Sequence, residues 1–252
     1  YSSTNLLKAL HIYLPSTPII GASTMAILYN SHIYRYSLAI CLMYSEKLKI
    51  SIAVVKDIRK KTAFIAGQEL GTKLLNNFGS ERRDLAMIFS NGLLGEGSSL
   101  IRGIQEKLGK SFPIVGACAS DNLAFKQTYL YFNEELLTDS VIGILLGGKI
   151  NFNLTSRHGW KPLGKAHRIT KSKGNIIQEI NHQPAASLYE DYFAANIDSL
   201  KKQLKYLSTL YPIGIYLEGE EEYLLRNILS IEEDGSLVCQ GDIPQDSTIR
   251  LM

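Results

Sequence analysis

Two stretches of the chain share one order of apolar and polar positions. In the later stretch, residues 100–108 carry apolar side chains at helical spacing, and the apolar run at 113–116 then ends in small residues. In the earlier stretch, residues 6–14 and 18–21 repeat that order. Apolar residues three and four positions apart predict an amphipathic helix, whereas a short apolar run predicts a buried strand. The pattern therefore predicts a helix-plus-strand unit that occurs twice.

The similarity continues downstream of both stretches. Residues 37–44 and 140–147 are strand-like, and each is followed by a further strand-like segment, at 49–55 and 149–155. We therefore predict an α+β fold, mixed α/β in character, whose duplicated helix-plus-sheet units are related by a pseudo-two-fold axis. The alternative is that a common helix–strand pattern occurs twice by coincidence.

One strand has no counterpart in this duplication. The continuous apolar run at 84–90 predicts a central strand directly before the second helix, and nothing similar precedes the first helix. We therefore expect a strand upstream of residue 1 to complete the first unit.

The middle of the chain predicts further regular elements. Residues 63–78 favour a helix that Gly79 ends. A hairpin is predicted within 167–180, with its turn at Lys173 and Gly174, and a helix is predicted at 185–194.

The end of the chain is interpreted as the start of another domain. Residues 196–211 are interpreted as a boundary, and the roughly 40 residues beyond them predict strands and no helix. The predicted organisation is one domain at 1–195 and the beginning of a second, β-rich domain at 196–252.

Composition and charge narrow the class of protein. The 252 residues are 45% hydrophobic and 20% charged, which is typical of a folded chain. A net charge of +3 is too small to indicate nucleic-acid binding by itself, and no apolar run is long enough to cross a bilayer. The three cysteines are widely spaced and form no metal-binding motif, so the sequence predicts a reducing compartment and neither a metal site nor a disulfide framework.

The two small-residue turns are the predicted ligand site. A glycine followed by small side chains lets a backbone approach a ligand closely, and a pseudo-two-fold axis would bring the two turns near one another. We predict a small pocket in which a polar ligand meets backbone N–H groups, serine hydroxyls and the carboxylate of Asp121, which suits an ammonium group. The residues predicted to line it are Gly21, Ala22, Ser23, Thr24, Gly116, Ala117, Cys118, Ser120 and Asp121. The alternative is a purely structural role, in which the small residues only allow close packing of strands.

Other residues are weaker candidates. The glycine-rich turn at 91–99 follows a predicted strand, which makes Ser90 and Asn91 secondary candidates for the pocket, together with Arg226. Cys118 is also a candidate nucleophile for an enzyme, although no local signature supports that activity. The cationic stretch from Arg157 to Lys173 gives only slight support to nucleic-acid binding.

A set of short motifs resembles the FIST (F-box and intracellular signal transduction) sensory family. The most specific of them is His-Gly-Trp-Lys-Pro-Leu-Gly at 158–164. The others are Phe-Ser-Asn-Gly at 89–92, Pro-Ile-Val-Gly-Ala-Cys-Ala-Ser-Asp-Asn at 113–122, Tyr-Pro-Ile-Gly at 211–214 and Gly-Asp-Ile-Pro at 241–244. The first group resembles the N-terminal part of the family and the last two resemble the opening of its C-terminal part.

The resemblance implies a function. Members are cytoplasmic signal-input domains without catalytic activity, which bind small ligands such as amino acids. They pass a signal to an output module such as a histidine kinase or a cyclic-di-GMP enzyme. No cofactor is expected. The resemblance also implies an alternative, a haem-binding sensor of nitric oxide. His158 and Trp160 in the family string are also candidate ligand-binding residues, and His158 is the candidate iron ligand if haem binds.

Overall fold

The computed structural model describes residues 3–122, 124, 126–219 and 222–252. The chain divides into two compact units between Leu154 and Thr155. Both units combine helices and strands and the second is rich in strands, which confirms the predicted α+β class and its β-rich C-terminal part.

The first unit, called unit 1, contains three α-helices and nine strands among its described residues. The helices are α1 (Ser3–Tyr13), α2 (Ala63–Phe78) and α3 (Gly97–Leu108), and a short 3-10 helix spans Ile58–Lys60. The strands are β1 (Ile20–Ala22), β2 (Ile27–Tyr29), β3 (His32–Tyr34), β4 (Lys49–Lys56), β5 (Arg83–Ser90), β6 (Ile114–Cys118), β7 (Leu130–Phe132), β8 (Glu135–Leu137) and β9 (Ser140–Gly147).

A four-stranded sheet forms the centre of unit 1, with the strand order β4-β9-β5-β6. The strand β9 is antiparallel to both neighbours, and every one of its side chains is buried. Strand β5 runs parallel to the edge strand β6, with α3 as the connection between them. Helix α2 begins where the Thr62 side chain accepts a hydrogen bond from the N–H of Ile65, and it ends before Gly79, as predicted.

The core of unit 1 lies between this sheet and helices α2 and α3. Leu70 and Leu74 of α2, Ile104 of α3 and Leu145 of β9 belong to one cluster and are fully buried. Their burial follows from the helical spacing of the first two and from a strand that is apolar on both faces.

The predicted duplication is visible in part of unit 1. The hairpin β2–β3 and the hairpin β7–β8 are separated by 103 residues, since β2 begins at Ile27 and β7 at Leu130. Asn30 and Asn133, again 103 residues apart, both adopt a left-handed backbone in the two turns. Each hairpin follows one helix and one short strand, in the orders α1–β1 and α3–β6. The two copies do not join one sheet, because β1 pairs with β7 whereas β6 pairs with β5.

Two strand predictions in unit 1 were wrong. Residues 37–44 and most of residues 149–155 have no regular secondary structure. Among the described residues neither segment lies in a sheet, and a strand without a partner leaves its backbone groups to water. The following segment in the first copy does form a strand, β4, but it pairs with β9 of the other copy.

The second unit, called unit 2, contains two helices and eight strands among its described residues. The helices are α4 (Ser187–Phe193) and α5 (Ile197–Leu210). The strands are β10 (Leu163–Lys173), β11 (Ile176–Ile180), β12 (Gln183–Pro184), β13 (Ile213–Ile215), β14 (Leu224–Arg226), β15 (Ile228–Ile231), β16 (Leu237–Cys239) and β17 (Thr248–Leu251). They form one sheet with the order β14-β13-β17-β10-β11-β16-β15, and β12 pairs with β11.

The segment at 196–211, which was interpreted as a boundary, contains the helix α5. The Asn196 side chain accepts a hydrogen bond from the N–H of Ser199 and begins α5, which buries Leu200, Leu204 and Leu207. The compact units also divide elsewhere than the predicted domains, because β10 pairs with β17 and β11 with β16 across residues 195 and 196.

Candidate ligand-binding site

A cavity of about 440 Å³ in unit 1, called cavity A, is lined by α3 and the strands β5 and β6. Its apolar wall includes Ile88, Leu100 and Phe112, and its polar groups include Ser90 and Gln105. The complete lining is Ile88, Ser90, Gly97, Leu100, Ile101, Gln105, Phe112, Ile114, Val115, Gly116, Ala117 and Cys118. It thus contains four of the residues predicted from the sequence: Ser90, Gly116, Ala117 and Cys118.

Cavity A runs along the whole of β6 and reaches the carboxyl ends of two parallel strands. Ser90 is the last residue of β5 and Cys118 the last residue of β6, and the Ser90 hydroxyl lies 3.4 Å from the Cys118 sulfur. Gly97, the first residue of α3, also lines the cavity. Carboxyl ends of parallel strands and helix N-termini are common ligand positions in α/β proteins, because backbone N–H groups there favour an anion.

Gly116 is required where the two parallel strands approach. A Cβ atom at this position would collide with the backbone carbonyl of Ile88, its partner in β5. At this position the alternative interpretation of the small residues therefore holds, because the absence of a side chain permits close packing of the two strands. The neighbouring small residues Ala117 and Cys118 are exposed and face the cavity.

The two small-residue turns contact each other through Ser23 and Ser120. The Ser23 hydroxyl donates to the Ser120 carbonyl at 2.8 Å, and the Ser120 N–H donates to the Ser23 carbonyl at 2.9 Å. The Ser120 hydroxyl accepts from the N–H of Met25, and the Ser23 hydroxyl accepts from the N–H of Tyr129. Both hydroxyls are thus used to hold the turns together.

A second cavity, called cavity B, lies at the first small-residue turn. It has a volume of about 480 Å³ and is lined by α1, β1 and residues 37–42. Its lining includes Gly21, Ala22, Ser23 and Thr24. The structure therefore places the two turns in contact, with a separate cavity beside each.

Asn91 and Thr128 form a buried polar pair below the glycine-rich turn. The Thr128 hydroxyl donates to the Asn91 side-chain oxygen at 2.8 Å, and the N–H of Leu93 donates to the same oxygen. The Asn91 N–H donates to the Ser140 carbonyl of β9. Asn91, a predicted site residue, thus fixes the turn and is absent from the lining of cavity A.

Asp121 is also used by its own loop. One of its carboxylate oxygens accepts from the N–H groups of Lys126 and Gln127, at 2.7 and 3.0 Å. These bonds occupy one oxygen of the carboxylate that we predicted to suit an ammonium group.

His158 and Trp160 of the family string lie in unit 2. The His158 Nε2 atom lies 3.1 Å from both the Tyr223 carbonyl and a carboxylate oxygen of Glu222. The Trp160 indole donates to the Leu210 carbonyl at the end of α5. The two rings meet edge to face, 6.1 Å apart. These contacts occupy the Nε2 atom of His158, and no histidine lines either cavity.

Arg226 ends β14 in unit 2 and holds the chain after β16. Its Nε atom donates to the Asp242 carbonyl at 3.0 Å, and an Nη atom donates to the carbonyl of Leu225. Burial lowers the pKa of this guanidinium from its ordinary value, against the opposing effects of Cys239 and Asp242.

Sequence reasoning missed Gln105 and Gly97, which line cavity A. Gln105 follows Ile101 by one helical turn, so a polar residue on the apolar face of α3 was a signal that could have indicated it. In the described part of the chain, no three or more potential metal-binding side chains come together. No described helix combines the length and apolar character needed to span a membrane.

Comparison with known families decides where this chain belongs. The model of the FIST N domain matches residues 1–183, and that of the FIST C domain matches residues 185–252. The chain belongs to the FIST family. FIST domains are sensory domains that bind small ligands in signalling and are not catalytic.

One relative is a protein of Methanocaldococcus jannaschii named uncharacterized protein MJ1623, which is 28% identical over 152 residues. The match covers 56% of this FIST chain and 29% of the relative, so the chain spans less than a third of that protein. No solved structure matches the chain.

Proposed function

We propose that this FIST chain is a non-catalytic sensory domain that holds a small metabolite, an amino acid or a molecule of similar size, in cavity A. The observation that carries the proposal is the cavity itself, which runs along β6 and reaches the carboxyl ends of β5 and β6. Its volume of about 440 Å³ falls within the range of ligand pockets, about 300–1,000 Å³.

The lining suits a ligand with one anionic and one apolar end. A carboxylate fits near Gly97, where the first N–H groups of the twelve-residue helix α3 carry a partial positive charge. The Ser90 hydroxyl and the Gln105 amide offer further hydrogen bonds, and Ile88 and Phe112 offer an apolar surface. This division of polar and apolar groups favours an amino acid over a fully polar solute.

The lining also favours binding over chemistry. It includes no histidine, lysine, aspartate or glutamate, so none of the residues in the lining is placed as a general base beside Cys118. The cysteine-nucleophile alternative therefore receives no support from its surroundings.

The partners follow from this proposal as further proposals. A sensory domain without catalytic groups needs an output module to act on, such as a histidine kinase or a cyclic-di-GMP enzyme. We place both in the cytoplasm, where small metabolites and these enzymes meet.

A thermal-shift screen with free amino acids tests the ligand. At about 100 times Kd, a ligand stabilises the folded form by about 2.7 kcal/mol. In a chain of this size, each kcal/mol raises Tm by about 2–4 °C. We therefore expect one or a few amino acids to raise Tm by about 5–10 °C. If no amino acid raises Tm, the ligand class is wrong.

A matched pair of cavity-filling variants tests the site. Cys118→Phe places a ring in cavity A, and Cys41→Phe places one in cavity B. Both cysteines are exposed, so both variants keep the core. We expect the ligand-induced rise of Tm to vanish in Cys118→Phe and to persist in Cys41→Phe. The opposite result would assign the ligand to cavity B.

A haemin titration completes the screen. A Soret band that saturates at one haemin per chain and is lost in His158→Ala would overturn the non-cofactor proposal and support the haem alternative. We expect His158→Ala to leave amino-acid binding in unit 1 unchanged.

A further inference from the structure

The two copies in unit 1 differ most at residues 37–44. These residues are related to β9 by the same shift of 103 that relates the two hairpins. In β9 every side chain is buried between two neighbouring strands. In residues 37–44 every side chain is exposed, although five of the eight are large and apolar: Leu38, Ile40, Leu42, Met43 and Tyr44. An apolar row of this length without a partner indicates a surface that something covers.

The complete copy shows which segment takes that place. Strand β9 pairs antiparallel with β4, which is the strand that follows residues 37–44 in the chain. The strand that follows residues 37–44 in one copy thus pairs with β9 of the other copy. If the reverse pairing also forms, the segment that follows β9 is the expected partner of residues 37–44. That segment is 149–154, and Lys149-Ile150-Asn151-Phe152-Asn153-Leu154 matches Lys49-Ile50-Ser51-Ile52-Ala53-Val54 in its alternation.

The contacts of Ile150 place the segment near cavity B. Ile150 packs on a cluster to which Ile20 also contributes, and Ile20 lines cavity B together with residues 38–42. The N–H groups of Lys149 and Ile150 both donate to Asp84, which fixes the start of the segment. From Asn151 onward the backbone forms no strand, and Phe152 and Leu154 are exposed.

We propose that residues 151–154 pair antiparallel with residues 39–42 and close the wall of cavity B as the counterpart of the β4–β9 pair. The register follows from the β4–β9 pairing, in which Ile52 is opposite Ile144. Shifted by 100 and 103 residues, this places Phe152 opposite Cys41, with Asn153 opposite Ile40 and Leu154 opposite Ala39. The pairing covers apolar surface that is otherwise left in water.

The native Cys41 makes this register testable. Opposite residues of an antiparallel pair have Cα atoms about 4.5–5.5 Å apart, which is within reach of a disulfide. In a Cys118→Ser background, Phe152→Cys is oxidised with diamide, which accepts the two electrons and two protons of the thiols. Asn151→Cys is the matched control, because a shift of one residue turns the side chain to the other face. Linked tryptic peptides identified by mass spectrometry report the bond.

We expect an intramolecular disulfide between residues 41 and 152 that forms at least about tenfold faster than the one in the Asn151→Cys control. Urea should abolish this difference, and Cys41→Ser should abolish the bond. The second in-register pair, Ile40→Cys with Asn153→Cys in a Cys41→Ser background, should also close. Equal rates for Phe152→Cys and Asn151→Cys would overturn the register. Disulfide dimers as the main product would show that a second copy of the chain, and not residues 151–154, covers this row.

Discussion

Residues 37–44 and strand β9 have the same kind of sequence and opposite surroundings. Leu42 and Leu145 are 103 residues apart and occupy equivalent positions, yet Leu42 is 67% exposed and Leu145 is fully buried. The difference lies in the neighbours, since β9 lies between β4 and β5, and no strand in the described part of the chain pairs with residues 37–44. An apolar segment can form a strand, but its neighbours decide whether it is buried.

The largest expected effect comes from truncating the two equivalent leucines. Leu145→Ala should lower the free energy of unfolding of unit 1 by about 2–5 kcal/mol, because it leaves a cavity in a closed core. Leu42→Ala should cost less than about 1 kcal/mol, because its side chain is largely in water. Urea unfolding followed by circular dichroism measures both. Equal losses of unfolding free energy in the two variants would contradict the claim that the two leucines differ in burial.

A smaller effect is expected at the two equivalent glycines. Gly116→Ala forces a Cβ atom against the backbone of Ile88 and should destabilise unit 1 by about 1–3 kcal/mol. In Gly21→Ala the new Cβ atom would lie 3.1 Å from the Tyr131 ring, which can turn aside. The loss of unfolding free energy should therefore be clearly smaller. The same urea experiment compares them. A larger cost at Gly21 would show that the first turn is as tightly packed as the second.

Asp84 makes the stability of the second copy depend on pH. It begins the buried part of β5. Burial favours its protonated form, but hydrogen bonds and charge from Arg82 and the N–H groups of Ile150 and Lys149 outweigh this and lower its pKa. Because the folded-state pKa lies below the unfolded value of about 3.9, the stabilisation is present above about pH 4 and is lost as pH falls through the folded-state pKa.

The Asp84→Asn variant should therefore lose less stability than the native chain between about pH 4 and pH 2. Thermal unfolding at a series of pH values measures the slope. Asp57→Asn is a suitable control, because Asp57 is exposed and asparagine tolerates its left-handed backbone. A native-like slope in Asp84→Asn would show that other carboxylates cause the acid sensitivity.

The smallest effect concerns thiol reactivity and not stability. Cys41 and Cys118 are exposed and line separate cavities, whereas Cys239 is buried, and its burial raises the pKa of the thiol to about 12. Ellman's reagent at pH 8 should label two thiols in the folded chain and the third only in urea. Cys41→Ser and Cys118→Ser should each remove one fast label. Labelling of Cys118 that is far faster than that of Cys41 at neutral pH would instead support the nucleophile alternative.

Local signals predicted much of the fold. The helix-favouring residues at 63–78 and the stop at Gly79 predicted α2, and the continuous apolar run at 84–90 predicted β5. Helix α5 was missed although Asn196 and the spacing of Leu200, Leu204 and Leu207 were readable in the sequence. At 37–44 the local pattern is that of a strand, and the structure shows no partner strand there among the described residues, because pairing depends on neighbours that local sequence does not specify.

The site was predictable only in part. The duplicated small-residue turns indicated that Ser23 and Ser120 would lie together, and the structure joins them by two hydrogen bonds. The roles of Asp121 and Asn91 were not predictable, because a polar side chain in a loop is often used by the loop itself. Gln105 was overlooked because it lies within an otherwise ordinary amphipathic helix.

Hydrogen–deuterium exchange tests the central comparison most directly. The amides of β9 should be among the slowest in unit 1, because strands pair with both of its edges. Those of residues 37–44 should exchange at least about 100-fold faster, since a single neighbouring strand shields only alternate amides and a two-stranded pair is only marginally stable. Equally slow exchange of both segments would contradict the account.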